Sequence, residues 1–303
     1  ASRYCSRLSD RVAHRVALTG TPMSHSPLDI YAQYRAIDKD IYGTSFTRFR
    51  SRYAVMGGFN RMQVVAYQRE DELRRLFYSR AYRVESDDVL DLPSTLSINL
   101  MCDLGTKGRR LYQEVSDQFV ADLEEGQITA SNALSRLLRL QQITSGYGRL
   151  EDGTDVEIDD SKAKVLEDTL TDIGAEPVVV FTRFVHDLDV VHKVAAKVGV
   201  PSYEVSGRRK DLSEWRGGVL AVQIQAGGLG LDLTRARYAI YYSLGFSLGD
   251  YSQSMARLHR PGQTHPVEYI HILASGTVDE TVMEALARRE AVVDHILKEV
   301  RRE

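Results

Sequence analysis

From residue 161 onward, short apolar runs of strand type alternate with stretches of helical periodicity, and no other feature of the chain restricts its fold as much. The order is a helix from Ser161 to Ile173, a buried strand from Val178 to Phe181, a helix from Val185 to Val198 and a short strand from Ser202 to Val205. Strands at Val219 to Ile224 and Tyr238 to Tyr242 follow, then a helix around Tyr251 to His259 and a strand at Val267 to Leu273. Alternation of this kind predicts an α/β fold built on a parallel sheet with flanking helices. A last helix is expected after Thr277, which as N-cap with Glu280 three residues on forms a capping box.

The earlier part reads differently. Arg15 to Leu18 has strand character and stops at Thr19, Gly20, Thr21 and Pro22, which reads as a tight turn. Beyond Pro27, Leu28, Tyr31, Tyr34 and Ile37 recur at helical spacing. Leu73 to Tyr82, Leu111 to Leu123 and Ala133 to Ile143 read as amphipathic helices, with Leu96 to Met101 as a strand among them. The middle third is therefore expected to be mainly helical. Glu151, Asp152, Asp155, Glu157, Asp159 and Asp160 crowd a stretch with no apolar period, which reads as a linker. The expected division is residues 1–45, a helical region at 46–150, an acidic linker at 151–160 and the α/β lobe at 161–303.

Composition narrows the function classes. Apolar runs such as Val178 to Phe181 fall far short of the roughly 20 residues that a membrane helix needs, so no membrane partner is expected. Cys5 and Cys102 lie far apart with no C-x-x-C or His/Cys pattern, which argues against a zinc site or a disulfide framework and for a reducing, cytoplasmic setting. The chain opens on Ala1 with no signal sequence, and a cut N-terminus is expected. A net charge of -3 means that any nucleic-acid contact has to come from a local stripe.

The most informative stretch is Gln253 to Gln263, where Arg257 and Arg260 lie three residues apart and therefore on one helix face. Paired guanidiniums suit a polyphosphate, because each can bind phosphate oxygens bidentately without losing its charge. Upstream, the glycine-rich run Ala226 to Leu233 leaves the carboxyl end of a strand, the edge where ligands bind in parallel sheets. Gly227, Gly228 and Gly230 let backbone approach a phosphate or sugar, and Asp232 adds a polar contact. An isolated R-x-x-R is more often a solvated basic face, and a lone glycine loop is often only a turn; their combination in this order raises both.

Leu18-Thr19-Gly20-Thr21-Pro22, Val178 to Arg183, Ala226 to Leu233 and Gln253 to Gln263 resemble, in order, motifs III, IV, V and VI of Swi/Snf-type superfamily 2 helicases. Ser26-Pro27-Leu28-Asp29 and Gly276-Thr277-Val278-Asp279-Glu280 resemble the bacterial and phage branch, which implies a bacterial or phage-infected cytoplasm. The resemblance implies two RecA-like lobes, with residues 1–45 the C-terminal remnant of the first and 161–303 the second, ATP with Mg between them and duplex DNA, bound without sequence preference, across both. It makes Arg257 and Arg260 arginine fingers and places Gly228, Gly230, Asp232 and Gln253 at the nucleotide. Thr182, Arg183, Gln223, Gln225 and Arg208, with Arg209 and Lys210 extending the track, would follow the DNA backbone, and Thr19, Gly20 and Thr21 would couple the two lobes. Where many relatives carry a Ser-Thr pair before the motif V glycines, this chain has Gln223-Ile224.

A P-loop of the form G-x-x-x-x-G-K-[ST] is absent from the sequence, and the acidic Mg-binding box that should precede motif III is absent too. The chain thus resembles the downstream half of a larger motor, partnered by an N-terminal RecA-like lobe and inactive alone. A non-catalytic lobe that binds DNA or protein is the other reading. A dinucleotide fold lacks its G-x-G-x-x-G order here.

Overall fold

A computed structural model of the chain describes residues 2–57, 63–84, 89–124, 130–149, 153–225 and 230–297. Two compact units emerge: one of residues 1–89, 247–249 and 286–303, and a larger one of residues 90–246 and 250–285.

In the smaller unit, helices Ile30–Ile37, Phe46–Tyr53 and Glu70–Tyr78 bury an aromatic core. Tyr34, Phe49, Tyr53 and Phe77 lie there with Met23, Ile30 and Leu73, and the Phe49 and Tyr53 rings sit 5.0 Å apart at a tilt. Ser26 caps the first turn by accepting the Leu28 N–H at 3.2 Å, while the Asp29 carboxylate accepts the His25 and Ser26 N–H groups at 2.7 and 3.1 Å. An antiparallel pair, β1 (Ala54–Gly57) and β2 (Gln63–Tyr67), interrupts the helices of this region. The strand expected at Arg15 to Leu18 has no ladder among the described residues, and Val16 and Leu18 stand 87% and 94% exposed. Strand sequence without a neighbouring strand has nothing to satisfy its backbone or cover its side chains.

The larger unit is built on six parallel strands: β3 (Thr95–Cys102), β6 (Val178–Thr182), β7 (Ser202–Val205), β8 (Val219–Gln223), β9 (Tyr238–Tyr241) and β10 (Val267–Ala274). Their order across the sheet is β3-β10-β9-β6-β8-β7. All five residues of β6 are buried, as a strand covered on both faces requires. Helices Ser161–Ile173 and Val185–Val198 supply Leu166, Leu170, Leu188 and Val191 to the core against Val178, Val180 and Ile240. Gly218 has φ +71 before β8, and a Cβ there would run into the Pro201 carbonyl.

The strand read at Leu96 to Met101 forms as β3 and pairs along its whole length with β10, which puts part of the stretch assigned to a separate helical region into the sheet of the larger unit. The acidic stretch expected as a linker lies inside the larger unit: β5 (Asp155–Glu157) pairs with β4 (Tyr147–Arg149), and Asp159 accepts the Gly105 and Ser161 N–H groups at 2.7 and 2.9 Å. Several of its carboxylates thus have fixed partners, which composition does not show. Among the described residues no helix is long and apolar enough to cross a membrane.

Thr277 does cap the last helix, Val278–Leu297, accepting the Asp279 N–H at 3.3 Å, whereas Glu280 reaches the Gly276 N–H at 3.1 Å, one residue before the cap. Asp279 turns inward and forms an ion pair of 2.5 Å with Lys162, which is 3% exposed. Lys162 also donates to the Tyr242 carbonyl at 3.1 Å, and Asp279 accepts from the Thr144 hydroxyl at 2.9 Å and the Ala274 N–H at 3.1 Å. This pair joins the starts of two helices to the end of β9. Removing one partner leaves a buried charge, so Asp279→Ala is expected to cost about 3–5 kcal/mol in urea unfolding. Lys162→Met combined with Asp279→Ala recovers most of that loss, and a double variant no better than the single one would contradict this role.

Candidate functional site

The sequence-predicted residues of the larger unit gather around the carboxyl edge of its sheet. Thr182 and Gln223 end β6 and β8 and are register partners, so motifs IV and V meet side by side. The Thr182 hydroxyl is buried with no hydrogen-bond partner among the described residues, Gln223 is half-buried and Gln225 is exposed. Gly228 lies outside the described residues, with Ala226, Gly227 and Leu229. Gly230 resumes the chain at φ +68, in the left-handed region that glycine tolerates best. Asp232 is exposed and accepts the Thr234 N–H and hydroxyl at 3.1 and 2.8 Å. Those bonds, with the nearby Arg260 charge, hold its carboxyl below the usual range.

The arginines sit at the end of helix Leu248–Leu258 and in the turn after it. Arg257 is half-buried, and its Nε is buried with no hydrogen-bond partner among the described residues. An unpaired buried donor on a group that keeps its charge is costly unless an acceptor reaches it, and an anionic oxygen is the acceptor it suits best. Arg260 is half-buried beside Asp232, and Gln253 is half-buried one turn back from Arg257.

Buried contacts fix this helix on the sheet. The Tyr251 hydroxyl lies 2.9 Å from His271 Nε2, and the Tyr241 hydroxyl lies 2.8 Å from the Ser254 hydroxyl. Tyr241 stacks between Phe181 and His271 at 5.1 and 4.9 Å. His271 Nδ1 is 3.3 Å from the Ile98 carbonyl, so Nδ1 carries the proton and Nε2 accepts from Tyr251. Burial pushes the His271 pKa down to about 4.

Two residues expected along a nucleic-acid track, half-buried Arg183 and exposed Arg208, have partners within the chain. Arg183 donates to the Gln141 side chain, its guanidinium lies 5.3 Å from the Phe184 ring centroid, and burial lowers its pKa. Arg208 pairs with Glu204 at 3.0 Å and Asp189 at 2.9 Å, which raise its pKa. Burial alone would raise the pKa of Glu204, but hydrogen bonds from Arg208, Ser206 and His192 outweigh it and hold the carboxyl low. Arg209 pairs with Asp211 at 2.6 Å. Thr19, Gly20 and Thr21 lie in the smaller unit, where the Thr19 hydroxyl accepts the Thr21 N–H at 3.1 Å. Sequence reasoning missed Gln263, Lys162 and Asp279 as residues that organise this region. The only advance signal was the place of Gln263 and Asp279 within recognisable motifs. Among the described residues no cluster of His, Cys, Asp or Glu side chains is placed to hold a metal ion.

Residues 161–262 match the helicase conserved C-terminal domain. The chain is 26% identical to putative protein p41 of Acyrthosiphon pisum secondary endosymbiont phage 1, over 98% of this chain and 67% of that one. It is 22% identical to an uncharacterised ATP-dependent helicase of Mycoplasma pneumoniae over 94% of its own length, but spans only 28% of that relative. Among solved structures, the SWI2/SNF2 ATPase core of Sulfolobus solfataricus in complex with dsDNA superposes with a TM-score of 0.50 at 21% identity. That match covers 89% of this chain and 59% of the other, and shows the shared fold.

The buried seat of helix Leu248–Leu258 gives the stability a pH dependence. A histidine whose folded pKa is depressed stabilises the fold fully above its unfolded value of about 6.5, and that contribution is lost as pH falls toward 4. The full shift corresponds to about 3 kcal/mol. Asp187, whose carboxyl is raised to about 7 by burial, acts in the opposite sense over the same window. The comparison of unsubstituted protein with His271→Gln therefore isolates the histidine. Chemical unfolding at a series of pH values is expected to show the variant losing less stability on acidification, and parallel curves would contradict this.

Proposed function

Because this chain carries an SNF2-family helicase C-terminal region, we propose that it is the downstream portion of a DNA-dependent ATPase that couples hydrolysis to movement on, or remodelling of, duplex DNA. The observation that carries the reading is the Nε of Arg257, buried without a partner among the described residues in the last turn of its helix, with Arg260 in the turn just after. A guanidinium held this way suits a polyphosphate oxygen, and the residues present fit a nucleotide on that ground. Arg257 and Arg260 would act as the arginine fingers, Gln253 would orient them, and Gly228, Gly230 and Asp232 would line the nucleotide. MgATP supplies the phosphoryl group and the cation that offsets its charge, held mainly by a lobe that carries a P-loop. Fingers of this kind are worth roughly 10³ to 10⁵ in rate, or roughly 4–7 kcal/mol of barrier.

Exposed Val16 and Leu18, in a stretch of strand composition without a ladder, fit a chain whose Thr19-Gly20-Thr21 turn docks against a further sheet, the expected P-loop lobe. For DNA the proposal rests on Gln223 and Gln225, whose amides can bind phosphate without reading sequence. Thr182, Arg183 and Arg208 are committed to the interior or to ion pairs, and their part is to shape the strand ends and loops behind that track. The same internal pairing of Arg183 and Arg208 is what favours the second reading, a non-catalytic lobe that binds DNA or a protein partner.

The test mixes the chain with a P-loop lobe from a relative and follows ATP hydrolysis with and without duplex DNA. DNA-stimulated turnover is expected only in the mixture, and Arg260→Ala is expected to lower it by roughly 10³-fold or more. Hydrolysis that survives Arg260→Ala would favour the non-catalytic lobe, and hydrolysis by the chain alone would contradict the assignment of the nucleotide site to another lobe.

A further inference from the structure

Gln263 closes the Arg-Pro-Gly-Gln turn after helix Leu248–Leu258, and its side chain is buried with every polar position of its amide used. Nε2 donates toward the Ala236, Thr234 and Leu258 carbonyls at 2.9, 3.2 and 3.4 Å. Oε1 accepts the Thr264 and His265 N–H groups at 3.0 and 3.1 Å. One amide therefore ties together the end of the helix that carries Arg257, the turn that carries Arg260 and the segment just after Asp232.

Backbone bonds run alongside it. The Leu233 N–H donates to the Arg257 carbonyl at 3.1 Å, and the Gln263 N–H donates to the Arg260 carbonyl at 3.0 Å. Asp232 in turn accepts both donors of Thr234, whose own carbonyl faces Gln263. Gly262 holds φ +105, which lets the turn bring Gln263 back inward. A buried amide that binds only backbone is often a simple turn filler. Here its bonds on the Nε2 side all land on segments that carry residues proposed to face the nucleotide.

We infer that Gln263 is a positioning residue, whose amide sets Arg257 and Arg260 relative to Asp232 so that turnover depends on a side chain that touches no nucleotide. The inference rests on the arginine-finger reading proposed above. Misplacement of a reacting group by about 1 Å can cost on the order of 10²-fold in rate, so a lost clip acts on turnover far more than on binding.

Two substitutions separate the parts of the clip. Gln263→Met keeps the bulk and removes every hydrogen bond. Gln263→Glu keeps the oxygen that accepts from Thr264 and His265, and sets a second oxygen against three carbonyls. That carboxyl is raised by its setting, and once protonated it donates again. In the mixture with a P-loop lobe and duplex DNA, both variants are expected to lower kcat by about tenfold or more, with KM for ATP held within about threefold. The ratio of Gln263→Glu turnover to that of the unsubstituted protein, taken per folded molecule as read by circular dichroism at each pH, is expected to rise as pH is lowered from about 8 to about 6, while the ratio for Gln263→Met stays flat.

Leu170→Ala, in the core on helix Ser161–Ile173, is the control for lost stability and is expected to keep its kcat. The inference is overturned if Gln263→Met turns over within about twofold of the unsubstituted protein, or if Leu170→Ala loses as much turnover as the Gln263 variants. Should Gln263→Met not fold, the pH profile of Gln263→Glu decides, and a flat ratio overturns the inference. Arg260→Ala in the same mixture separates the two claims. Turnover that survives it defeats the arginine-finger reading and this inference together. Turnover that it abolishes, while both Gln263 variants remain fully active, defeats only the role of Gln263.

Discussion

An all-parallel sheet can be stable only when both of its faces are covered, and the crossovers that cover them leave the loops after the strands at one edge. Here β6 is buried along its full length, and its last residue, Thr182, is paired in register with Gln223 at the end of β8. The loop that follows β8 leads to Gly230 and Asp232, and the helix that follows β9 carries Arg257 in its last turn. Thr182 and Gln223 meet because they end paired buried strands, and the segment of Asp232 meets that of Arg257 through the bond from the Leu233 N–H to the Arg257 carbonyl.

Proximity alone does not align an arginine. The helix that carries Arg257 is seated by Tyr251 on His271 and by Ser254 on Tyr241, and the Lys162–Asp279 pair holds the neighbouring helix starts. Gln263 then joins the end of that helix to the segment after Asp232. These groups are buried polar side chains with well-matched partners, the setting in which a hydrogen bond specifies geometry most strongly. Beside those partnered groups, Arg257 Nε is a buried donor with no partner among the described residues.

Much of the fold of residues 161–297 can be read in the sequence, because strands buried on both faces give continuous apolar runs and the helices between them keep their period. Val178 to Phe181 and Val219 to Val222 show this directly. The place of β3 in that sheet cannot be read there, since Leu96 to Met101 marks a strand but nothing local names β10 as its neighbour. Nor does charge show where a charge goes. The sequence shows the charges of Arg183 and Arg208 but not their partners in the chain, Gln141, Glu204 and Asp189. Gln263 is harder still, because its partners are backbone groups that carry no residue-type signal.

The central claim is that Arg257 Nε is a donor that a polyphosphate oxygen completes. The most direct test is the 15N–1H resonance of that group in the protein assembled with a P-loop lobe and duplex DNA, assigned through Arg257→Lys and followed as ADP with fluoroaluminate is added. The account predicts a downfield shift and slowed solvent exchange as the mimic binds. A resonance that does not respond to a bound mimic would contradict it.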